Sequence, residues 1–375
     1  MNSNATIIAA ANPSFYPHLE RHATAWLKKH ETVNVFCCFP SDQALPQIKN
    51  IQWISIQPEL PQGPRGFYQF MKKCFSRLKV QQSQVPVSQI EAIDPLALIP
   101  AALFILKQKI SFKAKPKLMY FSMELYRKLP NLRKQFLKKN IWATLETLAS
   151  SQADRVCTVS NGVASYLTDM LRKKNIETVR SCPPLIEAVE SFNIQEHLKI
   201  DSKSKILIYQ GLIEEGRGID ELCKAITEKL NWHLVALGDG PALPFIKKEW
   251  GKNPKIHLQG RMPYKESLKW IQAADVGAVF IQSLSLSFHH CLPGKIFEYM
   301  QMNTPVLISP LPDLSHLLQL YPAGVRSNGF GVDHILQALN ELEEDLKSDS
   351  YSATLIRARE DLNWEKESLK LIGDN

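Results

Sequence analysis

"KILIYQGLIEEGRGIDELCKAITEKL", residues 205–230, carries three signals in succession. KILIYQ is an apolar run without a polar face, the mark of a strand buried on both sides. A loop holding Gly211, Gly216 and Gly218 follows, and GIDELCKAITEKL then repeats its apolar residues at helical spacing. WHLVALGDG at 232–240 returns as a strand and closes a βαβ unit. The alternation continues through PALPFIKKEWG (helix), KIHLQGRM (strand), YKESLKWIQAA (helix), DVGAVFIQ (strand) and, after a break, TPVLISP (strand). This part of the chain is predicted to be α/β, a doubly wound parallel sheet.

The first half shows the same rhythm. ATIIAAAN, PHLERHATAWLKKH and TVNVFCCF read as strand, helix and strand. PLALIPAALFILKQK (helix), KLMYFS (strand), a long helix around KKNIWATLETLASSQA, ADRVCTVS (strand) and NGVASYLTDMLRKK (helix) follow. ETVRSCPPL reads as a strand ending at Pro183–Pro184. A chain of 375 residues exceeds the usual single core, and the span between Pro184 and Lys205 is polar and irregular. The expectation is two Rossmann-like doubly wound domains facing a cleft at the carboxyl ends of their strands, where open α/β sheets bind ligands. The tail from about Ser352 reads as one helix offering Leu355, Ile356, Leu362, Trp364 and Leu369 for packing. Docking on its own domain and crossing back to the first are the alternatives. The division adopted is 1–184 plus 357–375 for the first domain and 185–356 for the second.

Composition is that of a soluble globular chain, 45% apolar and 22% charged, with a net charge of +8 that favours anionic partners. Nucleic acid is not among those expected, because no zinc-finger, RRM or helix-turn-helix pattern occurs. The seven cysteines are scattered and never form a C-x-x-C pair, which fits reduced, structural thiols in a reducing compartment. No basic n-region precedes a signal-type apolar run, and IDPLALIPAALFIL, interrupted by Asp94 and two prolines, falls short of a bilayer span. A cytoplasmic protein is expected. GFYQFMKKCFSRLK at 66–79 mixes aromatics with bases, so peripheral contact with an anionic membrane at its inner face is set against a solvated helix or loop.

Two stretches suit phosphate chemistry. In the first, Gly211, Gly216 and Gly218 allow close backbone approach at a helix start, and Arg217 brings a planar cation. The bland alternative is a tight turn with a surface arginine. The second is SFHHCLPGKIFEYMQ, 287–301, with Pro293 in the first turn of a helix. A cation at a helix start opposes the charge of the exposed amides there, so Lys295 calls for an anion. A diphosphate between Arg217, Lys295 and the amides of Pro293–Lys295 answers both cations, and Glu298, one turn on, suits the vicinal diol of a ribose. A simple Lys295–Glu298 intrahelical pair is the competing reading. The GDG at 238–240, with Gly238, ends a strand and suits a ligand-facing loop, though such turns are common in any α/β protein, and Gly260–Arg261–Met262 ends the next strand in a position to shape a base pocket. Glu124, in YFSMELY, follows a strand end of the first half, and His18, Glu20 and His22 mark its first strand–helix junction, where caps and surface residues are the commoner use. No D-x-D, H-E-x-x-H or clustered Cys/His pattern makes a metal case, adjacent His289 and His290 chelate poorly, and no G-x-S-x-G is present.

YQGLIEEGRGIDEL, LVALGDGP, HLQGRMPYKESLKWIQAADVGAVF and LPGKIFEYMQMNTPVLIS resemble, in that order, the nucleotide-binding domain of GT-B glycosyltransferases of the group-1 (retaining, family-four-like) branch. TLETLASSQADRVCTVSNGVASYL resembles the segment that closes the family's acceptor domain, and DLNWEKES its final crossover helix. The resemblance covers most of the chain; roughly the first 90 residues match only in βαβ pattern. It implies a nucleotide-diphosphate sugar bound by the second domain, an acceptor bound by the first, and no bound metal or other cofactor. Arg217 and Lys295 would hold the diphosphate and neutralise the leaving group, Glu298 would bind the ribose, and Glu124 would take the place of an acidic or histidine residue of the acceptor domain. Gly211, Gly216, Gly218, Gly238, Arg261, His290, Leu292, Pro293 and Gly294 complete the donor site. Two departures stand out. His290 occupies the place of a family glutamate separated by seven residues from the second glutamate, here Glu298, and Leu212 that of a basic residue.

The resemblance implies a glycosyltransferase moving a sugar from a nucleotide-diphosphate donor to a saccharide or lipid-linked acceptor in cell-surface glycan (polysaccharide) biosynthesis. A nucleotide-sugar epimerase of the same fold and a non-catalytic glycosyltransferase-like partner are the alternatives.

Overall fold

The computed structural model describes residues 3–128, 136–348 and 350–373. The chain divides into two compact units: Met1–Arg180 with Glu367–Asn375, and Ser181–Lys366. Each is an α/β unit built on one parallel sheet.

In the first unit the order is β1 (Asn4–Ala9), α1 (His18–Trp26), β2 (Thr32–Cys38), β3 (Ile51–Gln57), α2 (Gly63–Gln84), β4 (Val87–Ile93), α3 (Asp94–Ile110), β5 (Lys117–Ser122), α4 (Phe136–Ser150), β6 (Arg155–Thr158), α5 (Asn161–Leu171) and β7 (Glu177–Thr178). The strands lie as β3-β2-β1-β4-β5-β6-β7, so the order reverses between β1 and β4. Right-handed crossovers put α1 on one face and the helices following β3, β4 and β5 on the other. There α3 packs on β1, β4 and β5, flanked by α2 and α4.

Two strands of this unit escaped the sequence reading. β3 is an edge strand, half exposed along its length, and β4, VSQIEAI, hides its apolar run behind polar residues. Its Glu91 is fully buried, and its carboxylate accepts from the Trp26 indole Nε1 at 2.6 Å and lies 2.6 Å from His22 Nδ1. ETVRSCPPL, read as a strand through Pro184, pairs only at Glu177–Thr178. Beyond it the Arg180 amide turns to the Glu367 carboxylate at 2.9 Å, and the prolines have no N–H to offer a ladder.

α2 contains residues 66–79. Phe70, Cys74 and Leu78 are buried and dock the helix on the core, while Lys72, Lys73, Arg77 and Lys79 are exposed. The apolar side of this amphipathic helix is therefore used inside the unit.

The second unit contains α6 (Ile194–Leu198), β8 (Lys205–Gln210), α7 (Ile219–Glu228), β9 (Trp232–Leu237), α8 (Leu243–Trp250), β10 (Ile256–Gly260), α9 (Tyr264–Ala273), β11 (Val276–Val279), α10 (Leu286–His289), α11 (Lys295–Gln301), β12 (Val306–Ile308), α12 (Pro312–Leu320), β13 (Gly324–Arg326), α13 (Val332–Lys347) and α14 (Ser352–Asp361). The strands run β10-β9-β8-β11-β12-β13, with the reversal between β8 and β11. The core strands are nearly all Ile, Leu, Val and Ala, as a sheet covered on both faces requires.

The tail is two helices rather than one: α14 and α15 (Trp364–Ile372). Asn363 makes the break. Its side-chain amide donates to the carbonyls of Arg359 (3.2 Å) and Glu360 (2.9 Å), and its oxygen accepts from the Lys366 amide at 3.1 Å. One residue thus closes the first helix and caps the second. Leu355, Leu362 and Trp364 are buried, but Ile356 and Leu369, expected to pack, are exposed. Asp374 and Asn375 of the expected tail lie outside the described residues. Among the described residues no helix is long and apolar enough to cross a membrane. Six cysteines are buried, Cys291 is half-buried, and all seven are in the thiol form.

Candidate functional site

The site grows from the reversal point of the second sheet, where the loops after β8 and β11 leave in opposite directions and open a crevice. After β8 the backbone makes two left-handed turns, at Gly216 (φ 82°) and Gly218 (φ 68°), and Gly218 begins α7. A β-carbon on Gly216 would lie 2.6 Å from Leu284 Cδ1 and 3.1 Å from the Phe288 ring, and one on Gly218 would lie 2.6 Å from the Phe280 ring. These glycines hold the loop against the segment that follows β11. They seat Arg217, whose guanidinium carbon stands 4.8 Å from the centroid of the Phe288 ring and whose Nε donates to Glu214 Oε1 at 2.9 Å.

After β11 the chain passes through α10 and enters α11. Tyr299 anchors α11 to the sheet: its ring covers Gly277, where a β-carbon would lie 2.4 Å away, and its hydroxyl accepts from the Gln210 amide at 2.9 Å. Lys295, four residues earlier, is on the same side of the helix and so reaches over the end of β8. Its Nζ sits 4.1 Å from the centroid of the Tyr209 ring. It also lies 3.5 Å from where a β-carbon on Gly211 would be, so Gly211 leaves the room that the ammonium occupies. Burial first, and the positive charge of Arg217 second, pull the Lys295 pKa down to about 7, while Cys291 and Glu298 pull the other way. Two cations crowd one crevice, each on an aromatic ring. That is an arrangement an anion relieves.

The other expected residues divide. Gly238 is close-packed backbone: its amide donates to Gly260 O at 2.8 Å, and a β-carbon would stand 1.9 Å from Gly211 O. It shapes the floor under Gly211. Glu298 lies within electrostatic range of Lys295 on α11, and Gly294 is the N-cap of that helix. Pro293 stands one residue ahead of the cap rather than inside the first turn, its carbonyl accepting from the Ile296 amide at 3.2 Å. The Leu292 side chain belongs to the hydrophobic core, so only its backbone is available to a ligand. Arg261 is exposed beyond β10. His290 Nδ1 is 3.4 Å from the buried Asp313 carboxylate, its ring edge-on to His289, which in turn lies 2.9 Å from Ser283 Oγ.

Glu124 belongs to the first unit and is exposed past the end of β5. It is not alone there. Asp94, where β4 turns into α3 with φ 63°, accepts from the Met123 amide at 2.9 Å. Burial, with Glu124 and Glu146 adding repulsion, pushes its carboxyl up to about 7 against the amides of Met123 and Glu124. Tyr16, 41% exposed, follows β1 and packs edge-on against His18 at 5.3 Å, and its hydroxyl pKa is raised by burial and then by Asp94 and Glu124. His18, read as a junction residue, is buried and its pKa lies well below the usual range, first from burial and then from the charges of His22 and Arg21. The reversal point between β1 and β4 therefore carries a carboxyl near half-ionisation at neutral pH. The sequence reading missed Asp94, Tyr209, Phe288 and Asp313. Asp94 had a signal, an acid ahead of Pro95 at a helix start. The aromatic pair had none: Tyr209 sits inside an apolar strand and Phe288 inside a stretch read as a polar loop.

Two parallel-sheet, Rossmann-like α/β units are the architecture of the GT-B glycosyltransferase fold. Residues 204–345, within the second unit, match the sequence model of the family described as Glycosyl transferases group 1. No curated protein sequence matches the chain. Among solved structures, the sucrose-phosphate synthase of Thermosynechococcus elongatus is similar at 14% identity over 100% of this chain and 98% of that one, with a TM-score of 0.77. The Anabaena protein HepE in complex with UDP is similar at 11% identity over 100% and 99%, with a TM-score of 0.74. WaaG, a glycosyltransferase involved in lipopolysaccharide biosynthesis, is similar at 15% identity over 99% and 100%, with a TM-score of 0.67. At these identities the likeness is one of fold.

Proposed function

We propose that the protein transfers a glycosyl group, with retention, from a nucleotide-diphosphate sugar to a saccharide or lipid-linked acceptor in cell-surface glycan assembly, at the inner face of a membrane to which it attaches peripherally. The observation that carries the reading is the pair Arg217 and Lys295, two cations seated on Phe288 and Tyr209 at the end of β8. In transfer the bond from the sugar's anomeric carbon to the diphosphate breaks, the nucleoside diphosphate leaves with the electron pair, a bond to the acceptor hydroxyl oxygen forms, and that hydroxyl's proton passes to the departing diphosphate. The departing charge develops on phosphate oxygens, where fixed cations lower the barrier most. In this reading Arg217 and Lys295 supply that charge without a metal, Glu298 holds the ribose, His290 faces the sugar, and the Asp94 and Glu124 carboxylates bind acceptor hydroxyls. UDP, bound by the structurally similar HepE, is the first nucleotide to try.

The test is slow turnover of a panel of nucleotide sugars without acceptor. Release of nucleoside diphosphate is expected. Sugar isomerisation without release would replace the reading with an epimerase, and binding with neither product would replace it with a non-catalytic partner.

A further inference from the structure

The net charge of +8 is unevenly distributed. Between Leu60 and Ala153 the sequence holds 16 lysines and arginines against four acids, Glu91, Asp94, Glu124 and Glu146; the rest of the chain holds 29 against 33. The basic excess thus belongs to the quarter of the chain that builds α2, α3 and α4. Of those four acids, Glu91 is committed to Trp26 and His22, and Glu146 to Tyr120 and Arg127.

On the outward side of the same layer, apolar side chains stand in solvent. Leu103, Leu106 and Ile110 recur at helical spacing along α3, with Ile110 70% exposed, and Phe112 in the turn just beyond is 98% exposed. Ile141 and Leu148, two turns apart on the neighbouring α4, are 59% and 64% exposed. The inward sides of these helices already fill the core with Phe104, Ile105, Leu98 and Ala149, so among the described residues this second apolar stripe has no packing partner within the unit. Lys107, Lys109 and Lys113 are exposed around it, with Lys115 paired to Asp154 at 3.2 Å.

We propose that the outward face of α3 and α4, with Phe112 at its tip, docks on an anionic lipid surface. Phe112 and Ile110 enter the headgroup boundary while the lysines meet lipid phosphates, each exposed base adding attraction that the apolar contact then consolidates. A second copy of this face does not fit, since it would bring lysines against lysines. Nucleic acid does not call for exposed aliphatic side chains. The inference rests on the membrane-attached acceptor of the reading above for its purpose, and its surface lies on α3 and α4 rather than on α2, whose apolar side is buried.

The experiment is flotation of the full chain with phosphatidylcholine vesicles, with and without phosphatidylglycerol, for the native protein, Ile110→Glu/Phe112→Glu, and, as a second disruption, Leu103→Gln/Leu106→Gln. UDP binding by calorimetry and the melting temperature are measured alongside. The native protein is expected to float only with anionic vesicles, both variants about tenfold less, with the melting temperature kept. Flotation that ignores phosphatidylglycerol, its absence in the native protein, or folded variants that float undiminished would overturn the proposal, as would binding of DNA or RNA in its place. Loss of UDP binding in a native protein that still floats would overturn the donor reading and leave this one standing.

Discussion

The Lys295 ammonium stands 4.1 Å from the centre of the Tyr209 ring, and that distance joins two loops that are 86 residues apart in sequence. The ring stabilises the charge from below and burial opposes it from all other sides. With Arg217 close by, a pKa of about 7 results. A lysine held there favours an anionic ligand, and its surroundings have measurable consequences.

Lys295→Ala removes a charge-assisted phosphate contact. Hydrogen bonds to charged groups contribute ~1.5–3 kcal/mol, so nucleoside diphosphate binding is expected to weaken by about 10- to 150-fold. Calorimetry with UDP reads it; unchanged affinity sinks the site.

Proton linkage gives a second check. Below about pH 7 Lys295 is charged before the ligand arrives, and above it the free protein holds a neutral amine that must gain a proton on binding. Affinity is therefore expected to decline from about pH 7 to about pH 9, approaching tenfold per unit, with proton uptake visible as a buffer-dependent binding enthalpy. A flat profile would mean that no group titrates with the ligand.

The Phe288 ring under Arg217 can be removed with Phe288→Leu, which keeps most of its apolar bulk. A lost cation–π contact of ~0.5–2 kcal/mol predicts about 2- to 30-fold weaker nucleotide binding with a modest fall in melting temperature. A fall in melting temperature with full affinity would make the ring structural only.

Gly238 and Gly260 form a matched pair. Gly238→Ala drives a β-carbon to within 1.9 Å of Gly211 O, whereas the space at Gly260 is open and only its φ of 73° is unfavourable. The first substitution is expected to cost about 3 kcal/mol or more and to abolish nucleotide binding. Gly260→Ala should cost about 1 kcal/mol. Denaturant melts of the two variants rank them, and equal stability would contradict the packing described.

Asp94 has its carboxyl raised from 3.8 to about 7, so the folded protein holds a proton that the unfolded chain releases near pH 4. The stability this contributes is complete below about pH 4 and is lost as pH rises through about 7. Asp94→Asn keeps an oxygen for the Met123 amide and removes the ionisation. It is expected to be more stable than the native protein by about 1–3 kcal/mol at pH 8, with no difference near pH 4. A variant less stable at pH 8 would show that the charge is compensated.

Some of this architecture could be read directly along the chain. The strand–loop–helix at 205–230 predicted a doubly wound sheet because its periods, continuous then helical, are local properties. Arg217 and Lys295 were legible because glycines and a helix start sit next to them. β4 was not, since its polar Glu91 pairs with His22 and Trp26 from 65 residues or more away. The tail helix broke where Asn363 caps both of its halves, and a single asparagine does not announce that without the backbone around it.

Periodicity, turn residues and charge distribution are written in neighbouring positions, so the class of fold, the two-unit plan and the basic character of residues 60–153 came from the residues in order. Which aromatic ring lies under which cation, the displaced pKa values of Lys295 and Asp94, and which side of α2 or α3 meets solvent depend on contacts across the sheet. Desolvation and Coulomb terms are set by everything within a few ångströms in space, and no window of sequence contains that neighbourhood.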